Sequence, residues 1–157
     1  MNHPQQLSTF RIADRWFGID VGRVQEALRF APLTRVPLAP AVVAGLINLR
    51  GQIVMALDLR QRLALPPRAP GARPMNLILR SADGPTSLMV DEIDEVIAVD
   101  PACIEPVPLT LMGPGRELLI CVLKAPGGLV LVLDPELAVR VDAADEGDRV
   151  HERRSVS

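Results

Sequence analysis

The side chains able to do covalent or acid–base chemistry are few and poorly placed for it. The densest carboxylate group is Asp91, Glu92, Asp94 and Glu95, and carboxylates act as general acid and base only when geometry brings them to a substrate. Acidic residues along a strand edge serve more commonly as solvated groups that deter edge-to-edge pairing, which is the expectation here. The cysteines, Cys103 and Cys121, lack CxxC spacing, and the histidines, His3 and His151, lie near opposite termini. No four-ligand zinc set can be assembled from them. Cys103 would be a nucleophile only beside a base, and none is evident. Gly113-Pro114-Gly115 is a turn without the Lys-Ser/Thr that a phosphate cradle needs. The chain also has no GxSxG, Walker or HExxH motif. No catalytic residue, metal ligand or cofactor is therefore expected.

Binding chemistry is better represented. Val24-Gln25-Glu26 is followed by Gly45-Leu46-Ile47-Asn48-Leu49-Arg50-Gly51. Gly51 can take positive φ and Asn48 tolerates unusual turn geometry, so the pair would shape a tight corner that projects Arg50. Glu26 is the obvious mate for that guanidinium. At a solvated surface such a pair contributes little; at a partner interface the loss of one member is felt strongly.

The elements that must carry this corner are short strands. Phe10 and Ile12, then Phe17, Ile19 and Val21, alternate with polar or small residues on either side of Ala13-Asp14-Arg15, which reads as a β-hairpin. Val21 to Leu28 suits a strand continuation or one helical turn, and a short helix is expected at Ala41 to Ala44. Gln52 to Leu57 reads as a strand, and Asp58 can cap a short helix with Leu59 and Leu63 inward and Arg60 and Arg62 outward. Residues 66–74, rich in Pro, Gly, Ala and Arg, are the expected boundary between two halves. Beyond them Met75 to Leu79, Thr86 to Val90, Asp91 to Val99, Glu117 to Lys124 and Leu129 to Leu133 read as strands. The run Leu129 to Leu133 looks buried on both faces. Pro135 opens a short terminal helix through Val139. Many short strands split by turns predict an all-β fold of small barrels. Residues 141–157 are charged, lack apolar periodicity and are expected to be a disordered tail.

The 157 residues carry a net charge of −2, and Lys124 is the only lysine among 17 basic residues. That balance argues against a nucleic-acid binder, while arginine suits carboxylate recognition at interfaces. The N-terminus has no apolar run of the signal-peptide kind. The longest uncharged stretch, Val36 to Leu49, is broken by Pro37, Pro40 and Gly45 and is too short to span a membrane. A cytoplasmic protein without direct membrane insertion is expected.

Phe17-Gly18-Ile19-Asp20, Val24-Gln25-Glu26, Val36-Pro37, Gly45 through Gly51 and Leu57-Asp58-Leu59 follow one another in an order and spacing that resemble the CheW family. Asn48-Leu49-Arg50-Gly51 is the most specific element, and Val90-Asp91-Glu92-Ile93 and Leu131 through Leu137 resemble later landmarks. The resemblance spans residues 8–140. It implies two SH3-like five-stranded β-barrels with short helices and a groove between them. It also implies a non-catalytic adaptor that binds the regulatory domain of a CheA-type histidine kinase and the cytoplasmic tip of a chemoreceptor, placing it at the inner face of the membrane through receptor arrays. Val24, Glu26 and Arg50 match positions implicated in partner binding, while Asn48 and Gly51 shape the turn. Met55 stands where the family usually has Pro, which implies a restored strand hydrogen bond. The same scaffold in a pathway other than chemotaxis, and a small β-barrel ligand-binding protein or enzyme, are the alternative readings.

Overall fold

Alternation at the N-terminal end folds as a hairpin: β1 (Gln6–Ile12) pairs antiparallel with β2 (Arg15–Asp20) around the two-residue turn Ala13-Asp14. Phe10 lies opposite Phe17 in register, with ring centroids 5.8 Å apart and planes 15° from parallel. The computed structural model describes residues 3–29 and 31–141. Of the tail expected to be disordered, all but Val141 lies outside the described residues.

Asp20 accepts from Gly22 N at 3.0 Å and starts a 3-10 turn, Val21–Arg23, which leads into β3 (Val24–Leu28). Both readings of that segment thus occur in succession. Next come β4 (Val43–Leu49), β5 (Gln52–Asp58) and α1 (Leu59–Arg62), with Asp58 capping α1 through Arg60 N at 3.1 Å. The helix expected at Ala41 to Ala44 does not form. Val42 is buried in the core and its carbonyl accepts from Asp58 N at 2.8 Å, so the chain turns there and enters β4 at Val43.

The remaining elements are β6 (Met75–Leu79), β7 (Thr86–Val90), β8 (Glu92–Ala98), β9 (Ile104–Glu105), β10 (Leu119–Ala125), β11 (Gly128–Leu133) and α2 (Pro135–Ala138). β10 starts two residues later than expected, because Arg116–Leu118 form a 3-10 turn that buries Leu118.

The strands form two sheets, ordered β8-β1-β2-β11-β10-β9 and β3-β6-β7-β5-β4. Neighbours are antiparallel except β2 with β11 and β5 with β7. The mainly-β expectation in two halves holds, with a sixth, two-residue strand added to one half. The division between halves differs from the expected one. Residues 66–74 join β5 to β6 within the five-stranded sheet, so they divide nothing. The chain instead crosses out of the six-stranded sheet at Val21–Arg23 and returns at Asp91. Composition marked a loop correctly, but strand pairing, which decides membership of a sheet, is non-local. Met55 is not at an edge: it pairs in register with Leu46 on β4 and Thr86 on β7, so β5 is continuous through it.

Strand periodicity explains the layered core. On β6 and β7, Leu77, Leu79, Leu88 and Val90 face a core shared with Phe10, Ile12, Phe17 and Ile19 of the other sheet. The alternate residues Ile78 and Met89 face the interior of their own sheet with Ile47, Leu49, Val54 and Ala56. β11 does the same: Leu131 and Leu133 join the shared core, while Val130 and Val132 pack with Leu7, Trp16, Cys121 and Leu123. A strand buried on both faces needs apolar residues at consecutive positions, as in Val130 to Leu133. The exception to the expected run is Leu129, which is exposed.

Asp91, expected to be a solvated edge residue, is a hub. It accepts from Arg60 Nε and Nη2 (3.0 and 2.7 Å), Arg68 Nε (2.8 Å) and Ala13 N (2.7 Å). Arg60 is accordingly folded onto the protein, not outward as its helix position suggested. Arg62 likewise donates to Leu137 O at 2.8 Å.

Candidate partner-binding site

β3 and β4 are the two edges of the five-stranded sheet. Leu28 of β3 nevertheless packs in the same cluster as Ile47 and Leu49 of β4, so the sheet curls until its edges approach. Glu26 on β3 and Arg50 beyond β4 meet across this closure, with Arg50 Nη2 donating to Glu26 Oε2.

The corner carrying Arg50 is a two-residue turn, because Leu49 and Gln52 are already paired. Arg50 has φ 51° and Gly51 φ 86°; positive φ at both central residues is the arrangement of a type I′ hairpin turn, whose twist matches the flanking strands. The expectation gave the unusual backbone to Asn48 and Gly51. Asn48 instead stays in β4 and shapes the turn through its side chain, accepting from Gly51 N at 2.8 Å. Arg50 itself takes the left-handed conformation, which non-glycine residues adopt infrequently.

The result is an anchored but available charge. The Arg50 side chain is 67% exposed and that of Glu26 only 24%. The Glu26 hydrogen bond, and then its charge, push the Arg50 pKa further up, so the guanidinium is a permanent cation. Val24, expected beside the pair, is half-buried on β3 and packs against the shared core. One exposed apolar residue of this corner escaped the sequence reading: Ile53, 61% exposed and opposite Asn48. Its signal was an isoleucine at a solvent-facing position beside the turn.

A further support lies behind β4. Segment 31–42 is held to it by Thr34 N to Leu46 O and Leu46 N to Thr34 O, both 2.8 Å. A Cβ on Gly45 would stand 2.6 Å from Thr34 O. Gly45→Ala is therefore expected to destabilise the chain by about 1–3 kcal/mol, the usual cost of overpacking. The check is the midpoint of urea unfolding, and an unchanged midpoint would contradict the contact.

The corner presents an anchored guanidinium, a half-buried carboxylate and an exposed isoleucine. Elsewhere, burial raises the Cys121 thiol pKa, and Cys103 Sγ lies 3.8 Å from Asp100 Oδ2. Among the described residues no group of three or more His, Cys, Asp or Glu could hold a metal ion, and no helix is long and apolar enough to cross a membrane.

Comparison with known proteins agrees with this architecture. The sequence model of the CheW-like domain matches residues 6–143. The chain belongs to the CheW family. It is 33% identical over 104 residues to the probable chemotaxis protein CheW of Rhizobium etli, covering 66% of this chain and 67% of that protein. It is 30% identical over 133 residues to the chemotaxis protein CheW of Treponema pallidum, covering 82% and 78%. The crystal structure of the scaffolding protein TtCheW from Thermoanaerobacter tengcongensis superposes with a TM-score of 0.77 at 25% identity, covering 90% of this chain and 92% of that one. The mainly-β two-sheet fold is thus a CheW fold.

Proposed function

We propose that this CheW-family chain is a non-catalytic adaptor coupling chemoreceptors to a CheA-type histidine kinase in a cytoplasmic chemosensory array. One partner face is the corner of Val24, Glu26 and Arg50, with Asn48 and Gly51 holding its shape. The observation that carries this reading is the exposed Arg50 guanidinium, anchored by Glu26 on a two-residue turn. A cation held at one end loses less freedom on binding than a loose side chain, which is how preorganisation raises affinity. Ile53 beside it supplies apolar area, and arginine is enriched in the residues that dominate binding energy.

Two binding faces on one small body hold receptor and kinase at high effective concentration. No reaction step is required of the adaptor, because differential binding to two arrangements of the assembly is enough to pass a signal. Titration calorimetry of the chain against the regulatory domain of the kinase, and separately against a receptor-tip fragment, tests the reading. Binding of each in the micromolar range or tighter is expected. A folded chain that binds neither would sink it.

A further inference from the structure

Asp91 lies at the return crossing, between β7 of one sheet and β8 of the other. The donors around its carboxylate come from three separate pieces of chain: the β1–β2 turn of the six-stranded sheet (Ala13), α1 (Arg60), and segment 66–74 (Arg68). The arms extend further. Arg68 Nη1 reaches Asp58 Oδ1 at 3.0 Å and Arg68 Nη2 reaches Met89 O at 3.3 Å, while Arg60 Nη1 reaches Pro66 O at 2.7 Å. The side chains of Arg60 and Arg68 are only 16% and 12% exposed.

The two sheets also share a large apolar core, and Arg62 adds a link from α1 to Leu137 O. Apolar burial is non-directional, and packed layers can shear over one another by small displacements. Guanidinium–carboxylate forks are directional and resist that sliding. β5 begins beside the Arg50 corner and ends at Asp58, so the clasp holds the far end of the strand that carries the corner.

We propose that Asp91, with Arg60 and Arg68, is a positioning element that locks the angle between the two sheets. The lock makes the chain a rigid connector, with the Arg50 corner at a fixed orientation to the six-stranded sheet. Its use in signalling rests on the adaptor reading; the lock itself does not.

The test needs no partner. Amide residual dipolar couplings, measured on the full chain well below its melting temperature, are expected to fit one alignment tensor across both sheets. In Asp91→Asn each sheet is expected to fit its own tensor, with loss of the shared one. Arg68→Gln, which keeps the Arg60–Asp91 pair and so preserves more of the fold, is expected to show the same loss to a smaller degree. A single tensor fitting both sheets in whichever of these variants folds would overturn the proposal and leave Asp91 as a stabilising residue only. Failure of the adaptor reading would appear elsewhere, as absence of partner binding by the unaltered chain.

Discussion

Asp91→Ala is expected to lower the melting temperature by about 10 °C. The substitution strands Arg60 and Arg68, whose side chains are 16% and 12% exposed, beside an apolar methyl. Removing one partner of a buried ion pair costs about 3–5 kcal/mol, and the residual exposure of the group places this case at about 3 kcal/mol. For a chain of this size that corresponds to roughly 10 °C, read by calorimetry at neutral pH. A shift of about 1 °C would mean that water replaces the carboxylate without loss and would contradict the account of the hub.

Acid should reproduce part of the same effect. Burial alone would raise the Asp91 pKa, but the Arg60 hydrogen bonds, the Ala13 N–H and the charges of Arg68 and Arg60 outweigh it and hold the group at about 2, below its ordinary value of 3.8. A depressed folded-state pKa means that the stabilisation is fully present above pH 4 and disappears as pH falls from about 4 to 2. The amount at stake is roughly 2 kcal/mol. The difference in stability between the native chain and Asp91→Ala should therefore shrink across that window.

Arg50→Glu is expected to leave the fold and the melting temperature essentially unchanged while weakening partner binding by at least about tenfold, as loss of an interfacial charge contact does. The side chain is largely in solvent and its turn makes no demand on the guanidinium, since the hydrogen bond that shapes it runs from Gly51 N to the Asn48 side-chain oxygen. The reversal also places a second carboxylate against Glu26, turning an anchored cation into a repelling pair. Combining it with Glu26→Arg separates two roles. If the pair merely holds the sheet edges together, the double variant restores binding; if Arg50 itself meets the partner, it does not. The second result is the one expected, by titration calorimetry against the partner that the native chain binds.

Local physics made much of the fold legible. Period-two alternation located the β1–β2 hairpin and β6, Asp58 caps α1 as its place before Leu59 implied, and Pro135 at the first helical position opens α2. The Arg50–Gly51 corner was legible for the same reason, because a two-residue hairpin turn is specified by its own residues. What stayed hidden is non-local. Residues 66–74 have the composition of a boundary, but β5 on one side and β6 on the other join one sheet through β7. Asp91 has three acidic neighbours, Glu92, Asp94 and Glu95, and resembled them in sequence. It differs because Arg60 and Arg68, 31 and 23 residues earlier, and the still more distant Ala13 N–H fold back onto it. Glu26 and Arg50 were matched by chemistry, but their meeting depends on a sheet that curls until β3 approaches β4, and no local pattern encodes that closure.

The claim that this chain connects two partners is tested most directly by co-sedimentation. Receptor-containing membranes would be mixed with the regulatory domain of the kinase, with and without the chain, and pelleted. The adaptor account predicts that the kinase domain pellets with the membranes in the presence of the native chain, and that much less does with Arg50→Glu. Equal amounts of kinase domain in the pellet with and without the chain would contradict it.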